Sequence, residues 1–284
     1  MTLDYFYSIV YVNFNVYKRF NKAGIRLILS VILESKKPYI DLPTHYPYLI
    51  QSFLYKNIDD DLSYFMHEEG FKIDDKTFKL FVFSRLIGES KFIKETKTFR
   101  FYGPFQLLVS SAYQPFIRNM FNLILKENLY LGDEHLKIKS IENIPSLDNT
   151  NTNVRVASYS PVVSYSTVHT QDGKKKRIYY KPDDPNYTQF LTLNLIKKAK
   201  FLYGADTVFE PIKIKPVGRF KHDIVYGKNT VINGYTGNFI LEGDPRLIKT
   251  AIETGLGSKN SLGFGFVYPK EKRLPLIKEW MAMR

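Results

Sequence analysis

Four glycines near the C-terminus make up the segment best suited to hold a phosphate chain. Gly255, Gly257, Gly263 and Gly265 form two G-x-G pairs, and the polar segment between the pairs contains Lys259. Glycine lets the backbone approach a ligand closely and present several N–H donors, while the lysine adds a positive charge. The chemistry that these residues favour is the binding of a polyanion.

The elements expected around this motif argue against a nucleotide-binding fold. Residues 246–254 have helical spacing and stop at Gly255, whereas residues 262–267 alternate glycine with bulky apolar residues, which predicts a strand. In Rossmann and P-loop proteins the glycine motif instead follows a strand and opens a helix, and a P-loop also needs G-K-[ST], which is missing here. The motif is therefore expected to hold an RNA backbone and not a nucleotide.

A strongly basic segment in the second half of the chain offers a second set of phosphate contacts. Tyr179 and Tyr180 follow it, and cations that track phosphates beside aromatic rings that stack on bases are typical of RNA-binding surfaces. A solvated hairpin tip explains the same pattern equally well. The basic residues are Lys174, Lys175, Lys176 and Arg177.

The composition indicates a folded, basic protein. The 284 residues are 44% hydrophobic and 15% aromatic, which is enough to bury a core. Lysine and arginine outnumber aspartate and glutamate by 41 to 28, so the protein attracts polyanions. A lysine-rich genome would produce the same balance, but nucleic acid is the first partner to test.

Several classes of site are excluded by what the chain lacks. It contains no cysteine, which excludes disulfides, thiolate metal sites, cysteine nucleophiles and iron–sulfur clusters. No run approaches the roughly 18 apolar residues of a membrane span. Residues 1–21 include Asp4 and carry Lys18 and Arg19 at the wrong end for a signal peptide. We expect a cytoplasmic protein with no membrane partner.

Among the five histidines, His67 has the most informative context. It lies in the last turn of a predicted helix that ends at Gly70, where free carbonyls favour the imidazolium, so it is placed to donate a proton near neutral pH. A histidine that only caps its helix is the alternative. The remaining histidines and the cluster at 59–61 show no H-x3-H, H-E-x-x-H or paired-Asp spacing, so no metal is predicted.

The elements that must position these residues fall into two similar halves. The first has the predicted order strand, helices, strand, strand, helix, strand, at residues 25–33, 45–67, 78–85, 98–110, 112–127 and 136–142. The second has predicted strands at 154–158, 161–168, 210–215, 218–226 and 233–242, with a helix at 186–202 before the last three of these strands. Each half approximates a βαββαβ unit, so the predicted fold is α+β, with tandem ferredoxin-like (RRM-like) domains.

The expected domain boundaries follow from this division. An N-terminal extension covers residues 1–23, the first domain 24–144, and a polar linker 145–153. The second domain covers 154–269. Residues 270–284 form a tail that reads as a short amphipathic helix.

A basic, cysteine-free chain of two ferredoxin-like halves, with this glycine motif just before its last strand, resembles the CRISPR-associated endoribonucleases that process repeat RNA. These form the sixth Cas family of the RAMP superfamily. The resemblance covers roughly residues 24–268. Shorter segments agree with it in order, at residues 50–55, 64–67, 79–84, 160–163 and 194–197.

The resemblance implies a metal-independent endoribonuclease that cuts CRISPR precursor RNA within its repeats and releases guide RNAs. Such enzymes use a tyrosine, a histidine and a lysine, which match Tyr55, His67 and Lys79 here. Attack by the 2′-hydroxyl gives a 2′,3′-cyclic phosphate, with no cofactor. Lys76 is the second choice for the cationic role and Lys72 a further rival. An unperturbed phenol, with a pKa near 10, is a poor base, so Tyr55 is expected to orient the 2′-hydroxyl.

One alternative and two further partners are left open by the resemblance. Related Cas proteins share the fold and the glycine loop but lack the nuclease site, so an inactive RNA-binding subunit of a CRISPR effector complex is the second hypothesis. His67 distinguishes the two. CRISPR repeat RNA is the expected partner, and other Cas proteins or a homodimer are compatible with the sequence.

Overall fold

The computed structural model describes residues 28–282, apart from 74–75, 145, 149, 171, 227–230 and 273. The predicted N-terminal extension, residues 1–23, and the start of the first predicted strand lie outside the described residues.

The first half of the chain forms an antiparallel sheet with a ferredoxin-like strand order. Strands β9, β1 and β7 lie side by side. The strands β5 and β6 follow one another along the edge of β7 that faces away from β1. The strand β2 continues the line of β1 along the other edge of β7. The elements are β1 (Ile28–Ser35), β2 (Tyr39–Pro43), α1 (Pro47–Lys56), α2 (Asp60–Tyr64), β3 (Phe71–Ile73), β4 (Lys76–Phe78), β5 (Phe81–Phe83), β6 (Ile87–Ile93), β7 (Thr98–Ser111), α3 (Gln114–Phe121), β8 (Leu129–Leu131) and β9 (Glu134–Ile144).

The second half repeats this arrangement in a four-stranded sheet of order β13-β14-β10-β15. The strands β11 and β12 pair only with each other and form a hairpin inserted before the long helix α4. The elements are β10 (Asn153–Ser158), β11 (Tyr165–His169), β12 (Lys175–Tyr179), α4 (Pro185–Tyr203), β13 (Ile212–Tyr226), β14 (Val231–Gly243), α5 (Pro245–Thr254), β15 (Val267–Pro269) and α6 (Ile277–Ala282). The predicted tandem ferredoxin-like fold is confirmed.

Three predicted elements of the second half differ from the structure. The final strand begins only at Val267, because Gly263 and Gly265 have φ of 76° and 79°, outside the extended region. The predicted strands at 210–215 and 218–226 are one strand, β13, whose register shift between Val217 and Lys221 absorbs Gly218. The basic segment, for which a hairpin tip was one explanation, lies mostly in a strand, since three of its four residues belong to β12.

The N-termini of the helices α4 and α5 follow ordinary capping rules. Asp184 and Asp244 each accept a hydrogen bond from the backbone N–H two residues later, at 2.8 Å, and each is followed by proline at the first helical position. The buried face of α4 includes Leu191, Leu195 and, unexpectedly, Lys198. A lysine on a buried helix face requires hydrogen-bond partners there.

The two halves share a hydrophobic cluster. Because successive side chains of a strand point to opposite faces, Phe81 and Phe83 of β5 pack in the core of the first half, whereas Val82 joins the core of the second. Leu108 and Ile28 lie on that same inner face. Because this cluster contains residues from both halves, it does not separate the chain at residues 144 and 154. The predicted domain boundaries there stay a prediction.

The C-terminal tail also belongs to this interface. Gln106 of β7 donates a hydrogen bond to the Pro275 carbonyl at 2.7 Å and accepts one from the Ile277 N–H at 3.2 Å. Leu274 and Ile277 are buried. The helix expected in the tail is present as α6, and the segment before it fastens the tail to the sheet of the first half.

Candidate active site

Tyr55, His67 and Lys79, which the resemblance assigns to catalysis, lie in one small region. The rings of Tyr55 and His67 meet edge to face with their centroids 5.5 Å apart. The ammonium group of Lys79 donates a hydrogen bond to the backbone carbonyl of His67 at 2.6 Å. Helix α1, the turn after α2 and the residues between β4 and β5 each supply one side chain. Their roles in catalysis stay a prediction.

His67 lies in the last turn before Gly70, as predicted, but this turn is a π-helix spanning Phe65–Glu69. The Gly70 N–H donates to the Phe65 carbonyl at 2.7 Å, which closes the wider turn. Such turns occur frequently at functional sites. The imidazole is 66% exposed, and its Nδ1 lies 2.6 Å from Oε1 of Glu68. The nitrogen that remains for a substrate is Nε2.

Tyr55 is only 8% exposed, and its hydroxyl donates to the Met66 carbonyl at 3.4 Å. Burial raises the pKa of the Tyr55 phenol well above its usual range, against a weaker opposing effect of a hydrogen bond from Gln51. The hydroxyl therefore keeps its proton at neutral pH. This environment suits a group that orients a substrate hydroxyl better than one that removes its proton.

Lys79 is half-buried at a sharp change in backbone direction. Burial lowers the pKa of its ammonium group, and the nearby Glu68 carboxylate opposes that shift. The following residue, Leu80, has a φ of 52°, which is unusual for a bulky residue. Hydrogen bonds from Ser111 Oγ and the Ala112 N–H to the Leu80 carbonyl hold this conformation. The backbone strain is thus located beside the predicted catalytic lysine.

The contact with the His67 carbonyl favours Lys79 over its two rivals. Lys72 and Lys76 are both exposed and belong to the two-stranded hairpin of β3 and β4. Lys76 shares a cavity with Lys79, whereas the side chain of Lys79 turns back toward the histidine.

The four glycines of the C-terminal motif have a packing role that the sequence did not predict. All four are buried with φ between 76° and 86°. A Cβ atom would meet the Phe83 ring at Gly263, the Val82 side chain at Gly255, the Val163 carbonyl at Gly257 and the Leu256 carbonyl at Gly265. The glycines thus allow the loop to pack closely on itself and on β5 of the first half.

Several amides of this loop are already used within the fold. The N–H groups of Leu256, Ser258 and Gly265 donate to the carbonyls of Gly265, Val163 and Pro161, respectively, at 2.8–2.9 Å. The amides offered to a phosphate are therefore fewer than the glycine spacing suggested. Direct RNA contact by the glycines stays a prediction, and four of the five residues between the pairs, 258–261, line a cavity.

A cavity of about 340 Å³ lies between the two halves. Lys76, Lys79 and Phe81 line its first wall, and Lys198 and Lys259 are part of the wall formed by the second half. The predicted catalytic lysine and the lysine of the glycine loop therefore face the same space.

The basic segment and the glycine loop converge on Tyr165. The Lys259 ammonium lies 5.6 Å from the Tyr165 ring centroid and the Arg177 guanidinium 5.9 Å from it. Burial, and secondarily the charge of Arg177, lower the pKa of Lys259 to about 8. The other three basic residues are exposed along the hairpin, and Lys174 pairs with Asp172 at 2.9 Å. Their contact with RNA stays a prediction.

Three residues of this region were missed by the sequence analysis. Glu68 and Tyr165 carry no sequence signal that separates them from other surface residues. Lys198 does carry one, because it lies three residues after Leu195 and seven after Leu191, on the apolar face of α4. A lysine at that spacing predicts a buried cation.

The described residues contain neither a candidate metal site nor a candidate membrane-spanning helix. No group of three or more histidine, aspartate or glutamate side chains is arranged to hold a metal ion in the part of the chain that is described. Within those same ranges, no helix has the length and apolar character that crossing a membrane requires.

Comparison with known proteins supports the resemblance seen in the sequence. Residues 142–269 match the model of the family described as CRISPR associated protein Cas6, C-terminal. CRISPR-associated endoribonuclease Cas6 1 of Methanocaldococcus jannaschii is 26% identical over 239 residues, which are 82% of this chain and 89% of that protein. The C-terminal part of the chain therefore matches the Cas6 family, and the similarity to a Cas6 protein extends over most of the chain.

Solved structures match the fold of nearly the whole chain. The structure described as the characterization of a Cas6-related gene from Pyrococcus furiosus matches with a TM-score of 0.75 at 21% identity, over 87% of this chain and all of that one. Another, described as an RAMP protein binding different RNA substrates, matches with a TM-score of 0.72 at 18% identity, over 86% and 99%. At these identities the likeness is one of fold, and this chain shares their tandem ferredoxin-like architecture.

Proposed function

We propose that this chain is a metal-independent endoribonuclease that cleaves CRISPR precursor RNA within its repeats. The supporting observation is the contact that joins Lys79 to the carbonyl of His67, beside the Tyr55 ring. The match to a relative named a CRISPR-associated endoribonuclease supports the same substrate. The released guide RNAs end in a 2′,3′-cyclic phosphate.

Cleavage requires one bond to form and one to break at the scissile phosphorus. The 2′-hydroxyl gives its proton to water, its oxygen attacks the phosphorus, and the bond to the departing 5′-oxygen breaks. His67 donates a proton to that oxygen through Nε2, since Nδ1 faces Glu68. The 3′ fragment then leaves with a neutral 5′-hydroxyl, and the 5′ fragment keeps the cyclic phosphate.

Lys79 and Tyr55 prepare the phosphate and the nucleophile. The ammonium group has three N–H donors and uses one on the His67 carbonyl, so two remain for the non-bridging phosphate oxygens, where negative charge builds up. The Tyr55 O–H donates to the Met66 carbonyl, so its oxygen remains to accept a hydrogen bond from the 2′-hydroxyl and orient it. An inactive RNA-binding subunit would not require this grouping, and no feature of the site favours that alternative.

The proposal is tested with repeat RNA that carries a 2′-deoxy substitution at the scissile nucleotide, beside unmodified RNA. The parent protein should cut only the unmodified RNA, in the presence of EDTA as in its absence. His67→Ala should slow single-turnover cleavage by about 10²–10⁴-fold and leave RNA affinity within about threefold. Cutting of the deoxy RNA, loss of cutting in EDTA, or equal losses of cleavage and binding would each contradict the mechanism.

A further inference from the structure

The cavity between the two halves carries an unbalanced positive charge. Lys76, Lys79, Lys198 and Lys259 all contribute to its wall. None of its lining residues, all of which are described, is aspartate or glutamate. A water-accessible space with four lysines and no acidic side chain in its wall favours a negatively charged occupant.

Lys198 is the cation that the fold itself explains least. Its side chain is 1% exposed. Its ammonium group donates hydrogen bonds to the Gly255 carbonyl and to Oδ1 of Asn260, the latter at 3.2 Å, and neither partner is charged. A buried cation with only neutral partners is costly, and burial lowers its pKa to about 7. A third N–H donor remains for a ligand.

A second polar group of the cavity wall also has an unfilled hydrogen bond. Asn194 precedes Lys198 by one helical turn, so both side chains lie on the same side of α4. The Oδ1 atom of Asn194 is buried and has no hydrogen-bond partner within the described residues. Ser258 and Ser261 add hydroxyl groups from the glycine loop. This set of donors and acceptors is suited to a phosphate and the sugar hydroxyl beside it.

We propose that Lys198 and Lys259 form a subsite for an RNA phosphate next to the scissile one, with Asn194 bound to the adjoining ribose. The proposal rests on the proposed function, because Lys79 contacts both the cavity and His67 and so sets the scissile phosphate at the cavity mouth. The subsite fixes the register of the RNA. A phosphate in this subsite would explain why the Lys198 ammonium group lies at the start of the glycine loop, where it donates a hydrogen bond to the Gly255 carbonyl.

The experiment measures coupling between a lysine and a single phosphate. Repeat RNAs with a 2′-deoxy scissile nucleotide, which are not cut, are made with one neutral methylphosphonate at each position around the cleavage site. Their affinities are measured for the parent protein, Lys198→Gln and Lys259→Gln. Lys200→Gln is the matched control, since Lys200 is on the same helix and exposed.

At one position adjacent to the scissile phosphate, the methylphosphonate should weaken binding to the parent and to Lys200→Gln by about tenfold. The same change should have less than about a twofold effect on Lys198→Gln and Lys259→Gln, because these variants lack the ammonium group that the phosphate would bind. Circular dichroism and thermal unfolding verify that each variant is folded. If Lys198→Gln does not fold, Lys259→Gln alone decides the outcome.

The subsite would be overturned if the losses of affinity caused by the methylphosphonate and by the lysine substitution simply added at every RNA position. It would also be overturned if the coupling to a phosphate were no stronger for Lys198 and Lys259 than for Lys200. Because the deoxy RNAs are never cut, this outcome is independent of cleavage. A parent protein that shows the coupling but fails to cut unmodified RNA would overturn the proposed nuclease and leave the subsite standing.

Discussion

The ammonium group of Lys79 is hydrogen-bonded to the backbone carbonyl of His67, not to its imidazole. The cation and the proposed proton donor are therefore joined through the main chain, and the imidazole remains 66% exposed. A contact of this kind fixes the distance between the ammonium group and the histidine without occupying either nitrogen of the imidazole ring. It also makes the lysine part of the support of the π-helical turn.

Replacing Lys79 by Met should impair chemistry more than binding. Removal of one preorganised donor to a developing charge lowers a rate by about 10²–10³-fold. Single-turnover cleavage and filter binding with repeat RNA measure the two effects. Lys76→Met is the control, because Lys76 is exposed on the neighbouring hairpin. A larger loss of cleavage in the control would assign the cationic role to Lys76.

Tyr55→Phe should slow cleavage by about tenfold, less than His67→Ala, because the hydroxyl orients a substrate group and does not transfer its proton. The pKa of Tyr55 is raised by burial, so no phenolate forms at neutral pH. The pH dependence of the cleavage rate should therefore have the same shape in the parent and in Tyr55→Phe. A basic limb that vanishes in the variant would show that the phenol is the base.

Gly263→Ala should destabilise the fold more than Gly173→Ala. Both glycines have a φ of 76°, but a Cβ atom meets the Phe83 ring at Gly263 and nothing within 4 Å at Gly173. The strained backbone alone costs about 1 kcal/mol, and the clash adds about 1–3 kcal/mol at Gly263. Chemical denaturation of the two variants measures the difference. Equal losses would mean that the loop does not depend on close packing against β5.

Glu253→Gln should stabilise the protein above pH 7 and have little effect near pH 4. Burial raises the pKa of Glu253 to about 7, against weaker opposing effects of Lys249 and Ser146, and its Oε2 has no hydrogen-bond partner among the described residues. Between the unfolded pKa of about 4.3 and pH 7 the folded state holds the extra proton, so stability falls as pH rises through that window. Thermal unfolding of both proteins from pH 4 to 8 tests this, and parallel curves would contradict it.

The basic hairpin should contribute to RNA affinity through salt-dependent contacts. Changing Lys174, Lys175 and Lys176 together to Gln should reduce the slope of log affinity against log salt by about 0.7 for each phosphate that the hairpin no longer neutralises. Affinity titrations between low and moderate salt measure that slope. An unchanged slope would show that these side chains form only a solvated hairpin. Asp172, paired with Lys174, is untouched by the change.

The repeated fold could be predicted because the signals for it are local. Alternating apolar residues, helical spacing and the stop at Gly70 each act within a few residues. The ordered segments around His67 placed it in the right turn. The π-helical form of that turn depends on the closing Gly70 to Phe65 bond, which no periodicity encodes.

What could not be predicted depends on contacts between residues far apart in the sequence. The glycine spacing indicated close approach but not what is approached, and Gly263 lies against Phe83 of the other half. Tyr165 gains its importance only because Arg177 and Lys259 meet at its ring. The sequence places Lys198 on the apolar face of α4, but it does not reveal its hydrogen-bond partner, the Gly255 carbonyl, which directly follows α5.

The close fit of the glycine loop on β5 also constrains how such proteins can diverge. Two pairs cross between the halves: a Cβ atom at Gly263 would meet the Phe83 ring, and one at Gly255 would meet Val82 as well as the nearer Asn260 amide of its own loop. A chimera that joins the first half of this chain to the second half of a distant relative would fold only if both pairs were inherited together. The two halves are therefore not exchangeable modules, although each has the architecture of one.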